Sequence, residues 1–124
     1  MKISNIGIVG AGTMGSGISQ VAALTDHDIV MQDVSEEATR RGLGAINKSL
    51  QRLVDREKIT ADAKDTAIGK IKTTTDLSDL ADCDLVIEAA TENMALKLSL
   101  FEQIDKVSRP ETIIASNTSS LSLT

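Results

Sequence analysis

Residues 6–18 read IGIVGAGTMGSGI, five glycines in thirteen positions directly behind an apolar run. Glycine costs backbone entropy, so such a cluster signals a backbone that must do what other residues cannot. Gly10, Gly12 and Gly15 spell G-x-G-x-x-G. An apolar run at 3–9 before them predicts a buried strand, and the small residues from 14 to 24 predict a helix. DIVMQD (28–33) then predicts a second strand ending in an acid, with Asp33 standing 18 residues beyond Gly15. Strand, glycine turn, helix, strand and acid in this order are the dinucleotide-binding arrangement. Gly10 would allow the tight turn, Gly12 the approach of a pyrophosphate and Gly15 the close packing of helix on strand. Ala11, Thr13 and Met14 complete the loop that would face the phosphates, at the electropositive end of a helix. Asp33 would accept from both hydroxyls of the adenine ribose and repel a 2′-phosphate, which favours NAD over NADP. Arg40 and Arg41 lie too far along the next helix to read as phosphate clamps. The plainer alternative is a glycine-rich turn without a ligand and a solvated Asp33.

Working outward, Leu43, Ile46, Leu50, Leu53 and Val54 recur at helical spacing, so residues 36–57 predict an amphipathic helix. Thr60 is a candidate N-cap for a further helix, with Asp62 in its first turn and Ala63, Ala67 and Ile68 on its apolar side. The two helices are expected to form a hairpin. IKTTT (71–75) is a weak strand and DLVIEAA (84–90) a strong one, apolar on both faces as a central parallel strand is. Residues 94–107 predict a helix stopped by Pro110, and TIIAS (112–116) one more strand. Alternating strands and helices predict an α/β fold, a Rossmann-type doubly wound parallel sheet with a helical hairpin inserted.

Composition narrows the partners. The 124 residues carry a net charge of −5 and a single aromatic, Phe101, so neither a phosphate backbone nor stacked bases are expected as ligands. The one cysteine, Cys83, leaves no internal disulfide and suits a reducing, cytoplasmic setting. It precedes a buried strand and reads as a small core residue. No membrane span, signal segment or metal site is expected. His27 reads as a solvated turn residue away from the site. Glu88 stands inside the apolar run and needs either a partner or a raised pKa.

Four stretches, GIVGAGTMGSGI (7–18), AINKSLQRLVDREKI (45–59), ADCDLVIEAATEN (81–93) and ETIIASNTSSLSLT (111–124), give the sequence its resemblance to the 3-hydroxyacyl-CoA dehydrogenase family. The resemblance implies an NAD-dependent oxidoreductase that moves a hydride between C3 of a short-chain 3-hydroxyacyl-CoA, such as 3-hydroxybutyryl-CoA, and nicotinamide, in fatty-acid or butanoate metabolism. It implies that Glu92, Lys97 and Asn117 lie at the cofactor and that Ser119 hydrogen-bonds the reacting substrate oxygen. It places Ser49 and Arg56 at coenzyme A. Lys48, Arg52 and Arg56 recur every four residues, a basic stripe that would suit the phosphates of coenzyme A or simply face solvent. The SNTSS run also suits local turns, and Glu92 also suits a helix start.

In the family a histidine in an HFFNP-like segment and a helical dimerisation domain follow SNTSS. The 124 residues stop before both. On that reading they form an NAD-binding domain, truncated at the C-terminal end of its sheet, with negligible turnover and marginal stability alone. The complete form would be a homodimer. The competing function class is an NAD(H)-sensing regulatory domain without chemistry, against which Ser49 in its hairpin and SNTSS argue. A noncatalytic relative of the lens lambda-crystallin kind is disfavoured by the glycine loop and Asp33.

Overall fold

The computed structural model describes residues 2–91 and 93–116. Five strands, β1 (Asn5–Val9), β2 (Asp28–Gln32), β3 (Ile71–Thr74), β4 (Leu85–Glu88) and β5 (Ile113–Ser116), form one sheet in the order β3-β2-β1-β4-β5. Every pairing is parallel. The helices are α1 (Thr13–Leu24), α2 (Glu36–Asp55), α3 (Ala61–Gly69) and α4 (Met94–Val107), with a 3-10 turn at Leu77–Leu80. This is the expected Rossmann-like α/β architecture.

Strand alternation sorts the apolar side chains onto two faces. Ile6, Ile8, Ile29, Met31 and Ile71 point to one side, where Ala23 of α1, Ile46 and Leu50 of α2 and Ala67 of α3 meet them. Val9 and Val86 point to the other, against Ile104 of α4, Leu80 and Cys83. Both cores are aliphatic. Cys83 is buried as expected, and burial, reinforced by Asp84 and Asp82, pushes its thiol up to about 11. Helices α2 and α3 pack on one another and on α1, which supports the inserted hairpin. Thr60 caps α3 by accepting from the Ala63 amide at 3.0 Å.

Several boundaries moved, each for a local reason. The first strand is Asn5–Val9 rather than 3–9, since the amides of Ser4 and Asn5 turn to the Asp84 carboxylate at 2.9 and 3.0 Å. The fourth strand stops at Glu88 rather than residue 90, because the Glu88 carboxylate takes the amides of Ala90 and Thr91. Helix α2 ends at Asp55 rather than residue 57, where Glu57 enters the left-handed region at φ 57°. The 3-10 turn has no apolar period of its own and is held by Asp76, whose carboxylate accepts from the Ser78 amide and hydroxyl. His27 is half-buried rather than solvated, with Thr25 Oγ1 and the Ala22 carbonyl 3.0 and 3.3 Å from its Nδ1.

Asp84 ties the entry of β1 to β4, and Arg109 reaches its other oxygen at 2.8 Å. The Asn5 and Ser4 amides, then Arg109, hold its carboxyl at about 2. That lies below an unfolded aspartate, about 3.9. The stabilisation is therefore fully present above about pH 4 and is lost as pH falls toward 2. Urea unfolding between pH 5 and pH 2 is expected to show a falling midpoint that flattens in Asp84→Asn; an equally steep fall in that variant would remove Asp84 as the cause.

Candidate functional site

The turn between β1 and α1 is shaped by what its glycines lack. Gly10 has φ 114°, and a Cβ there would lie 2.9 Å from Ala90 Cα and 3.0 Å from the Ala89 carbonyl. A Cβ on Gly15 would fall inside the van der Waals shell of the Gly10 carbonyl oxygen. The helix is thereby laid directly on the turn. Gly12 is the N-cap of α1 and has nothing within 4 Å of a built Cβ, so its face is open. No side chain caps α1 and no acidic residue occupies its first turn. Its leading N–H groups and partial positive charge are therefore left for an anion. Thr13 and Met14 are exposed beside them, and Ala11 is buried beneath.

Asp33 follows β2 and wires this turn to the neighbouring strand. Its Oδ2 accepts from the Ala11 amide at 2.8 Å and its Oδ1 from the Val34 amide at 2.6 Å. Each oxygen keeps a further acceptor site, enough for two ribose hydroxyls. Asp33 lines a cleft of about 330 Å³ with Ala11, Gly12, Thr13, Ser16 and the α2 residues Ala38, Arg41, Gly42 and Ala45. Arg41 thus stands on the wall of the site, contrary to the expectation that it lay too far along its helix. An amphipathic helix that docks on the turn brings its first two turns with it. Gly42 was also missed: its Cβ would lie 2.6 Å from the Ala11 carbonyl oxygen and 2.9 Å from the Ala11 Cβ. No local motif marks a helix glycine that is needed by a turn about 30 residues earlier in the chain. The signal was its place in the helical sequence, where alanine or leucine would be the better helix former.

At the ends of β4 and β5 lies a second polar group. Glu88 and Lys97 are enclosed, 0% and 1% exposed, and form an ion pair. Lys97 Nζ also donates to Ser116 Oγ at 3.1 Å, and that hydroxyl lies 3.3 Å from Glu88 Oε1. Glu88 Oε2 accepts from the amides of Ala90 and Thr91 at 2.7 and 3.2 Å. The partner that Glu88 required is therefore Lys97. The resemblance gives Lys97 a place at the cofactor; the structure gives its ammonium to Glu88 and Ser116.

Other expected site residues lie apart. Ser49 is half-buried, seven residues beyond Gly42 and so about 10 Å farther along α2. Arg56 is exposed at the C-cap of that helix, with Lys48 and Arg52 exposed before it. None of the four lines the Asp33 cleft. His27 sits before β2 and Asp33 after it, at opposite ends of the strand. Glu92, Asn117 and Ser119 lie outside the described residues.

A parallel sheet whose first strand runs through an open glycine turn onto an uncapped helix, with an acid closing the second strand, defines a dinucleotide-binding domain. A sequence model described as "3-hydroxyacyl-CoA dehydrogenase, NAD binding domain" matches residues 5–124. The chain is 51% identical over 118 residues to a probable 3-hydroxybutyryl-CoA dehydrogenase of Deinococcus radiodurans, covering 95% of this chain and 42% of the relative. The crystal structure of (S)-3-hydroxybutyryl-CoA dehydrogenase from Ralstonia eutropha superposes with a TM-score of 0.97 at 47% identity, over 99% of this chain and 44% of that one. Lactate dehydrogenase from Eimeria maxima shares the fold, with a TM-score of 0.62 at 17% identity, over 97% of this chain and 37% of that one. The chain belongs to the 3-hydroxyacyl-CoA dehydrogenase family, of which it is an NAD-binding domain, and it spans less than half the length of these relatives. The cradle at Gly12 and the spare acceptors of Asp33 fit NAD. Among the described residues no helix is long and apolar enough to cross a membrane.

These contacts separate fold from binding. Gly12→Ala is expected to melt within a few degrees of the parent, the cost of a poorer N-cap, while losing NADH affinity because the methyl occupies the phosphate approach. Gly15→Ala, which strikes backbone, is expected to lose both. Calorimetry and NADH fluorescence, clear of protein emission in a chain without Trp or Tyr, check the pair.

Proposed function

We propose that this domain is the cofactor-binding half of an enzyme that interconverts 3-hydroxybutyryl-CoA, or another short-chain 3-hydroxyacyl-CoA, and its 3-ketoacyl-CoA in fatty-acid or butanoate metabolism. The observation that carries the reading is that Asp33 and the open face of Gly12 share one cleft. NAD⁺, when bound, would supply the acceptor for the hydride leaving substrate C3. The α1 N-terminus would hold the pyrophosphate, Asp33 the adenine ribose, and Asn117 with Glu92 the nicotinamide side, with the ammonium of Lys97 enclosed beneath it against Glu88 and Ser116. Ser119 orients the substrate oxygen, as a hydroxyl that donates to a ketone and accepts from an alcohol. Ser49 and Arg56 hold coenzyme A, the latter within a stripe of exposed cations. His27, the only histidine here, lies at the amino end of β2, away from the carboxyl ends that form the cleft, so the base that takes the alcohol proton is another group. By the family resemblance it is a histidine C-terminal to Ser119. A homodimer working in the cytoplasm completes the proposal.

In the protein carrying this domain, NAD⁺ reduction by (S)-3-hydroxybutyryl-CoA is the direct assay. Ser119→Ala is expected to lower kcat by about 10²–10³, the range for one lost transition-state donor; an unchanged kcat would exclude Ser119 from the reaction. The 124 residues alone are expected to bind NADH and show negligible turnover.

The coenzyme preference has its own test. NAD is expected to bind more tightly than NADP, and Asp33→Ser is expected to narrow that gap by about tenfold or more, because it removes the carboxylate and leaves Arg41 on the cleft wall. A ratio that does not move would sink the assignment of Asp33 to the ribose.

A further inference from the structure

The enclosed Glu88–Lys97 pair lacks an obvious reason in stability. Burying two charges costs about as much as their attraction returns, and apolar residues of similar volume do as well or better. Yet this pair is fully wired. Glu88 takes two backbone amides on one oxygen and Lys97 with Ser116 on the other, and three elements, β4, α4 and β5, meet there.

Its place supplies a reason. The order β3-β2-β1-β4-β5 puts the crossover point between β1 and β4, and ligands of such sheets lie across that crevice beyond the carboxyl ends. A dinucleotide with its adenosine at Asp33, beyond β2, and its pyrophosphate at Gly12, beyond β1, extends its nicotinamide toward the ends of β4 and β5. Glu88 and Ser116 are the last residues of those two strands. The turn that Glu88 fixes, Ala89 to Thr91, is the one against which Gly10 packs. Oxidised and reduced nicotinamide differ by one positive charge. An unbalanced ammonium under that end would penalise NAD⁺ and spare NADH.

We propose that Glu88 is a positioning residue that cancels the charge of the buried Lys97 beneath the nicotinamide end and pins the β4–α4 turn against Gly10, so that NAD⁺ is not penalised relative to NADH. The inference rests on the reading of NAD as the ligand with its adenosine at Asp33.

The test uses the protein carrying this domain. NADH binding is followed by its fluorescence and NAD⁺ binding by competition, for the parent, E88Q, E88Q/K97M and E88D. In E88Q the ratio of Kd for NAD⁺ to Kd for NADH is expected to rise about tenfold, the size of one uncompensated charge acting over roughly 10 Å at an effective dielectric constant near 20. In E88Q/K97M both charges are gone and the ratio is expected to return to within about threefold of the parent. E88D keeps the charge with a shorter reach, so both affinities are expected to fall at an unchanged ratio; this variant and the double decide the matter if E88Q does not fold. Equal weakening of both nucleotide forms in E88Q, a shifted ratio in E88D, or a shift that persists in the double variant overturns the proposal. A parent protein that binds neither form overturns the cofactor reading and this inference with it. A parent that binds both, with a ratio indifferent to E88Q, overturns this inference alone.

Discussion

The structure depends on a steric constraint at one turn. Three backbone segments converge on residues 10–15, each closer than a side chain would permit. Helix α1 rests its Gly15 on the Gly10 carbonyl, the β4–α4 turn lies against Gly10, and α2 lays Gly42 on Ala11. Protein interiors are dense and yield little, so a single methyl at any of these contacts must displace a whole element. The fourth side, at Gly12, is left open. The same requirement that compacts the fold therefore also produces the cradle, because elements packed this tightly leave the first N–H groups of α1 aimed outward.

Two carboxylates stabilise that turn from either side, and their burial separates their roles. Asp33 ends the step after β2 and fixes Ala11 by a backbone amide, but it is half-buried and retains acceptor capacity toward the cleft. Glu88 ends β4 and fixes Ala90 and Thr91 in the same manner, but it is enclosed and has spent its lone pairs on protein partners. A half-exposed carboxylate remains able to read a ligand. An enclosed one must be answered inside the protein.

Helix α2 is divided along its length. Its first turns carry Ala38, Arg41 and Gly42 to the nucleotide cleft. Its middle buries Ile46 and Leu50 in the core, and its last turns present Lys48, Arg52 and Arg56 to solvent. One amphipathic helix thus joins a docking surface for the cofactor to an exposed cationic stripe.

The sequence by itself determined the fold class, the glycine turn, Asp33 and the span of α4, because each is written in short-range terms: a period of two or 3.6, a cap, a stop, or a spacing fixed by a strand and a helix. The need of Glu88 for a partner was equally legible, since an acid in an apolar run admits few outcomes. Which partner it finds was not, for Lys97 looks like any lysine of an amphipathic helix until α4 folds back over β4. Gly42 and Arg41 were hidden for the same reason, their contacts lying on an element remote in sequence. The ends of β1 and β4 moved because carboxylates took amides that strand pairing would otherwise have claimed. Only the tertiary structure decides such competitions, since hydrogen-bond satisfaction in a folded chain is settled between residues that the sequence holds far apart.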